Sequence, residues 1–284
     1  MATKIADIHP HIISGDAKRY PVAPIGGEQS GWSKTRPVSF EDLIAAMDRA
    51  GVDKAAIVHA STVYGFDNSY VADAVAARPG RFTGVFSVDV LAPDAPEKIS
   101  YWVGRKLAGL RLFTTGSTMP GQQPWLEDPR LIPAWEAAGE MKIPICMQMT
   151  AAAIPQLEKL LKRYPAINVI LDHLLKPPIQ DGPPYPGAKF LFDLARYPNV
   201  HLKMTSRNVE DARKGKATPE TFFGRLVGEY GASRIAWGSN YPASEGTLEQ
   251  FVKEAREAVA SLPQQDQEWI LHETAQKLYP ALAD

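Results

Sequence analysis

Residues 39–59, SFEDLIAAMDRAGVDKAAIVH, carry the pattern that decides the fold. Ser39 stands where a helix would be capped, Asp42 follows three residues later, and Leu43, Ile44, Met47 and Ala50 recur on one helical face until Gly51 stops it. The run from Lys54 to His59 that follows is short and apolar, as a strand covered on both faces reads. An amphipathic helix leading into such a strand is the unit from which parallel sheets with outer helices are built.

The same alternation continues along the chain. Strand candidates occupy residues 5–9, 55–59, 82–88, 109–113, 144–148, 169–173, 200–204 and 235–238. Helical periodicity falls between them, at 69–78, 96–105, 131–141, 154–164, 188–196, 219–230 and 247–262, with a closing helix at 266–278. In the clearest of these, Leu157, Leu160, Leu161 and Tyr164 follow an i, i+3, i+4, i+7 spacing before Pro165 ends the helix. Eight strand–helix units in 284 residues predict one domain, residues 1–284, folded as a single (β/α)8 TIM barrel with a long loop, residues 15–37, after strand 1. An open doubly wound sheet is the competing architecture, but no GxGxxG or P-loop follows any strand to support it.

Composition narrows the functional class. Lys and Arg number 31 against 32 Asp and Glu, for a formal net charge of −1, and the charges are scattered. No basic field is available for nucleic acid or an anionic membrane. The single cysteine, Cys146, excludes an internal disulfide and any Cys-pair zinc motif. No stretch approaches the roughly 20 apolar residues of a membrane span, so the expectation is a cytoplasmic enzyme, compatible with a homo-oligomer, that needs no nucleic-acid or membrane partner. The 24 prolines exceed the 21 glycines. They gather at element ends, as Pro21 and Pro24, Pro120 and Pro124, Pro177, Pro178, Pro183, Pro184 and Pro186, and Pro242. That placement reads as stiffened loops rather than disorder.

A barrel of this type works at the C-terminal ends of its strands. The polar residues there are Asp7, His9 and His11 from strand 1, His59 and Ser61 from strand 2, Asp89 from strand 3 and Arg111 from strand 4. Gln148, Asp172 and His173, Lys203 and Arg207, and Asn240 follow from strands 5 to 8. His9 and His11, two apart in extended chain, project to the same side and suit either a divalent metal or paired proton transfer. The competing expectation is that they are structural histidines with backbone partners, which is also the simpler reading of His59. Arg111 lies in the apolar run 109–113 and needs an anion there, either a protein carboxylate such as Asp89 or a carboxylate of the substrate. Lys203 and Arg207 add positive charge to the same mouth. Arg111, Lys203 and Arg207 together imply a small anionic substrate.

The segments Asp7-Ile8-His9-Pro10-His11, Leu171-Asp172-His173-Leu174 with Lys176-Pro177, Trp237-Gly238-Ser239-Asn240-Tyr241-Pro242 and the closing stretch from His272 to Tyr279 resemble the amidohydrolase superfamily. Within it they are most similar to the branch of 2-pyrone-4,6-dicarboxylate hydrolases and sugar lactonases. The resemblance implies a TIM barrel with the His pair on strand 1, a His on strand 6 and an acidic residue on strand 8 that activates water. It also implies a Ser after strand 2 and Arg residues on strand 4 and after strand 7 that hold substrate carboxylates. His9, His11, His173, Ser61, Arg111 and Arg207 fill those positions, with Gln148 and Lys203 as further substrate contacts.

Two departures stand out. Strand 5 offers Cys146, Met147, Gln148 and Met149 where metal-dependent members place a His, so either no cofactor or one weakly bound zinc or manganese at His9 and His11 is expected. The strand-8 acid is Asn240, and an amide is no base. Asn240 is then an inactivating substitution that traps substrate, a natural variant in which His173 or His11 is the base, or a sign that hydrolysis has been lost. The leading expectation is opening of a lactone or similar cyclic ester of a carboxylated small molecule. The alternatives are a nonoxidative decarboxylase of an aromatic or unsaturated acid and a ligand-binding protein without turnover.

Overall fold

In the computed structural model, which describes residues 4–116 and 121–283, the stretch quoted first folds as its pattern requires. The Ser39 hydroxyl accepts from the Asp42 N–H at 3.1 Å and the Asp42 carboxylate accepts from the Ser39 N–H at 3.3 Å, a closed capping box. The helix Phe40–Ala50 buries Phe40, Leu43, Ala46 and Met47 and stops at Gly51, whose φ of 68° is the left-handed conformation that glycine adopts without a Cβ penalty.

Eight strands follow in chain order: β1 (Ala6–Asp7), β2 (Lys54–Val58), β3 (Phe82–Phe86), β4 (Leu107–Phe113), β5 (Ile145–Gln148), β6 (Val169–Leu171), β7 (Val200–Thr205) and β8 (Ile235–Gly238). Each pairs in parallel with the next. The ring is drawn shut where the Ile8 N–H donates to the Trp237 carbonyl at 3.2 Å and the His11 N–H to that of Tyr241 at 2.8 Å. Gly238 permits this approach, since a Cβ there would stand 2.6 Å from the Cβ of His9.

The architecture is therefore the expected (β/α)8 barrel, with two apolar layers. Ile8, Ala56, Val58, Val85, Cys146, Ile170 and Ala236 fill its interior together with Leu278, Tyr279 and Leu282 from the C-terminal segment. Lys54, first residue of β2, holds that segment through a 2.7 Å bond to the Ala283 carbonyl, so the N-terminal ends of the strands are plugged. The larger layer lies between strands and helices, which leaves the C-terminal strand ends as the open face.

Several boundaries differ from expectation. β6 ends at Leu171 instead of running through His173, because residues 173–176 turn into left-handed backbone. The closing helix is the α-helices Gln264–Glu268 and Thr274–Leu278 joined by a π-turn over Trp269–Glu273. Residues 186–196 are a short α-helix, Lys189–Asp193, flanked by two 3-10 turns. The 15–37 loop contains a helix of its own, Gly31–Thr35. Pro120 lies outside the described residues. Among those described, no helix is long and apolar enough to cross a membrane.

Candidate active site

Just beyond β1 the backbone carries His9 and His11 into the open end of the barrel. Asp7 fixes this stretch: its Oδ1 accepts the His9 N–H at 2.9 Å and the Ser239 N–H at 2.8 Å, stapling β1 to the end of β8. Burial pushes the Asp7 carboxyl up to about 6 against those two bonds. His11 Nδ1 lies 2.8 Å from the Val58 carbonyl. A carbonyl only accepts, so Nδ1 carries the proton and Nε2 is left with its lone pair. Both nitrogens of His9 are buried without a hydrogen-bond partner, with Nδ1 3.9 Å from Asp172 Oδ1. The His9 ring centroid is 4.9 Å from those of both His11 and His173. Burial, reinforced by nearby cations, lowers His9 and His173 well below the ordinary imidazole value and His11 to about 3, so all three are neutral near pH 7.

His173 arrives by an unusual route. His173, Leu174, Leu175 and Lys176 have φ of 55°, 53°, 58° and 52°, a left-handed turn without a glycine. Such backbone costs roughly 1–2 kcal/mol per residue. It is held by burial of Leu174 and Leu175 and by Asn208, whose Nδ2 donates to the His173 carbonyl at 2.9 Å. The turn points the His173 ring into the cavity, with Nδ1 3.0 Å from Thr205 Oγ1, and places Lys176 at the rim.

Beneath the imidazoles lies a buried ion cluster. Asp172 Oδ2 accepts from Arg111 Nε at 2.8 Å, and Asp172 Oδ1 stands 2.7 Å from Lys203 Nζ. Burial alone would raise the Asp172 carboxyl; the Lys203 and Arg111 charges outweigh it and hold it well below the usual carboxylate range. Arg111 also donates to Gln148 Oε1. Two expectations are corrected here. Arg111 pairs with Asp172, not Asp89, which instead lines a separate apolar cleft beside Phe66, Leu91 and Trp125. Lys203, expected at the substrate, is fully buried on Asp172 and is not part of the cavity wall, because its β7 position lies below the rim.

The cavity above has a volume of about 320 Å³ and brings together His9, His11, Ser61, Arg111, Gln148, His173, Arg207 and Asn240. Asn240 has a φ of 58°, which asparagine tolerates. Its Nδ2 donates to Ser244 Oγ at 2.8 Å, which leaves Oδ1 and the second Nδ2 proton for other partners. His59 also reaches the wall, but its Nε2 is tied to the Gly65 carbonyl at 2.9 Å, as a structural histidine's would be. The 15–37 loop crosses the mouth. Ile25 and Trp32 line the cavity, the Ile25 N–H donates to the Ser61 carbonyl at 3.1 Å, and Arg36 bonds the Pro242 and Ala243 carbonyls at 3.1 Å each. Lys176, Thr62 and Thr115 are wall residues that sequence reasoning did not place in the site. For Lys176 the signal was present in the Asp-His-x-x-Lys-Pro segment. Among the described residues, no Asp or Glu lines this cavity.

The barrel and the residues at its strand ends, His9, His11, Ser61, Arg111 and His173, are arranged as the resemblance to amidohydrolases leads one to expect. The chain belongs to that family: the Amidohydrolase family model matches residues 6–281. It is 29% identical to an L-fucono-1,5-lactonase of Burkholderia ambifaria over 207 residues, covering 72% of this chain and 70% of that one. It is 24% identical to a 4-sulfomuconolactone hydrolase of Hydrogenophaga intermedia over 245 residues, covering 84% and 74%. A structure assigned as a 2-pyrone-4,6-dicarboxylic acid hydrolase of Pseudomonas putida superposes with a TM-score of 0.78 at 21% identity over all of both chains. Two other structures of this fold hold metals. One is an amidohydrolase of Burkholderia multivorans with zinc (TM-score 0.76, 17% identity, 98% and 99% coverage). The other is a dihydroxybenzoic acid decarboxylase of Polaromonas with manganese (0.72, 16%, 100% and 98%).

The donor set here does not fit such an ion. Among the described residues no three His, Cys, Asp or Glu side chains are grouped to hold a metal. Of the two nearby carboxylates, Asp7 is tied to the His9 and Ser239 N–H groups and Asp172 is engaged by Lys203 and Arg111, whose charges oppose a further cation.

Proposed function

We propose that this protein opens a lactone or comparable cyclic ester of a carboxylated small molecule, using imidazole bases and no resident metal. The observation that carries this reading is a cavity walled, among the described residues, by His9, His11, His59 and His173 and by three cationic side chains, Arg111, Lys176 and Arg207, with no carboxylate among them. Such a wall attracts an anion and leaves imidazole as the only effective proton acceptor at neutral pH. The two lactone-opening relatives favour the same reaction class.

In this assignment Arg207 and Lys176 hold the substrate carboxylate at the rim. Arg111 and the Ser61 hydroxyl donate to the ester carbonyl as it becomes an oxyanion, a contribution of about 10²- to 10³-fold in rate per donor. Water, oriented by Asn240 Oδ1, attacks the carbonyl carbon while His173 Nε2 removes its proton. His9 and His11 complete the wall on the opposite side. When the tetrahedral intermediate collapses, the ring C–O bond breaks and the same proton passes to the departing alkoxide, giving a hydroxy acid.

The test follows acid release from a panel of carboxylated γ- and δ-lactones at fixed pH, with the protein as it stands and with Asn240→Asp. Turnover by the unaltered protein that disappears in His173→Gln is the expected result. Absence of turnover by both proteins refutes the reading.

A further inference from the structure

Behind His173 lies a hydrogen-bonded pair that the chemistry above does not use. Asn208 Oδ1 accepts the Thr205 N–H at 2.9 Å and the Thr205 hydroxyl at 3.0 Å. The Asn208 amide cannot be reversed, because its Nδ2 donates to the His173 carbonyl at 2.9 Å and its Oδ1 receives a backbone N–H. Reversal would set donor against donor and acceptor against acceptor. Thr205 has one hydroxyl proton, and Asn208 takes it. Toward His173 Nδ1, 3.0 Å away, Thr205 Oγ1 can therefore only accept.

We infer that Thr205 and Asn208 are positioning residues that set the tautomer of His173, holding its proton on Nδ1 so that Nε2 faces the cavity as a base. The contrast with His11 shows why a second residue is required. The partner of His11 is a backbone carbonyl, which accepts and nothing else. The partner of His173 is a hydroxyl, which can equally donate, and with Asn208 removed it would present its proton to Nδ1 and drive the imidazole proton to Nε2. Asn208 is buried, at 3% exposure, so no water replaces it readily as the hydroxyl's acceptor. Its catalytic consequence rests on the lactonase reading given above; the tautomer itself does not.

The experiment reads the tautomer in the resting, full-length enzyme by long-range ¹H–¹⁵N spectra of protein labelled at histidine, with the His173 signals assigned by their loss in His173→Gln. The wild type is expected to show the Nδ1–H form, as is Thr205→Ser, which keeps the hydroxyl and its acceptor. Asn208→Ala is expected to populate the Nε2–H form and to lose about ten-fold in kcat with little change in KM, the scale of one neutral hydrogen bond. Thr205 and Asn208 also form the capping box of the helix Ser206–Asp211, and loss of that cap alone would leave the tautomer unmoved. An Nε2–H wild type overturns the inference even if Asn208→Ala fails to fold, and so does an Asn208→Ala protein that remains Nδ1–H. If the tautomers are as expected and no lactone is turned over, the proposed function falls and the positioning role stands.

Discussion

Replacing Asp172 by Asn probes the ion cluster on which the site is built. The wild-type carboxylate neutralises two largely buried cations: the Lys203 side chain is 0% exposed and that of Arg111, at the cavity wall, 8%. The substituted amide would keep the shape and one oxygen, but it would turn an NH₂ group toward either the ammonium or the guanidinium. Breaking a buried pair from one side costs about 3–5 kcal/mol, because the remaining charge keeps its desolvation penalty. For a domain of this size that lowers the melting temperature by roughly 6–10 °C. The assay is thermal unfolding of wild type, Asp172→Asn, Lys203→Met and the double variant. The double variant should lose less than the sum of the singles, with a coupling of about 1–3 kcal/mol, since it removes the stranded ammonium.

The pH dependence has a definite sign. Asp172 is held below its unfolded value of about 4, so its stabilisation is complete above that pH and is lost as pH falls through the lower folded value. The difference between wild type and Asp172→Asn should therefore persist from neutral pH down to about 4 and shrink only in stronger acid. A variant that melts within about 2 °C of wild type, or single losses that simply add, would show that the cluster does not carry this load.

Asp7 behaves in the opposite sense: burial raises its folded value from 3.8 to about 6, so ionisation costs stability as pH rises through that window. Asp7→Asn lacks the cost, and its stability relative to wild type in urea unfolding should rise by about 2 kcal/mol between pH 4 and 7; a constant difference refutes this. Arg207→Ala and Lys176→Ala should each raise KM for a carboxylated lactone by about ten-fold or more, the scale of one charge-assisted contact, and leave a neutral lactone's KM unchanged. Dialysis against a strong chelator should leave kcat/KM within a factor of about two, whereas loss of a Lewis acid removes several kcal/mol of stabilisation; activity restored only by zinc or manganese refutes the metal-free reading.

The barrel was legible because its signal is periodic and local. The helix from Phe40 to Ala50 and the strand from Lys54 to Val58 each announce themselves within a dozen residues. The histidines and Arg111 were legible from their places at strand ends. What escaped notice depends on depth and on distant partners. Arg111 and Lys203 read alike as cations on strands, yet the structure puts one in the cavity wall and the other wholly beneath it. Asp172 lies 61 positions from Arg111 in sequence, and nothing local favours it over Asp89. The turn from His173 to Lys176 has no signal of its own, since Leu and Lys avoid left-handed backbone; burial and a bond from Asn208 impose it.

The departures from the usual family pattern form one consistent set. The resemblance implies a strand-8 acid that activates water and, in metal-dependent members, a fifth-strand His; this chain has Asn240 and the run Cys146-Met147-Gln148-Met149 at those places. Here the fixed positive charge belongs to the protein, as Lys203 and Arg111 around Asp172, and a metal would have to enter against it. Burial first, and the neighbouring cations after it, keep His9 and His173 neutral, which a base requires, but also weaken them as bases. In the proposed reaction an anionic substrate would offset this weakness: a carboxylate held at Arg207 and Lys176 would cancel part of the positive field and raise the proton affinity of His173 only when the ester is in place. On this view the carboxylate of the substrate supplies the negative charge that the family usually supplies at the position of Asn240.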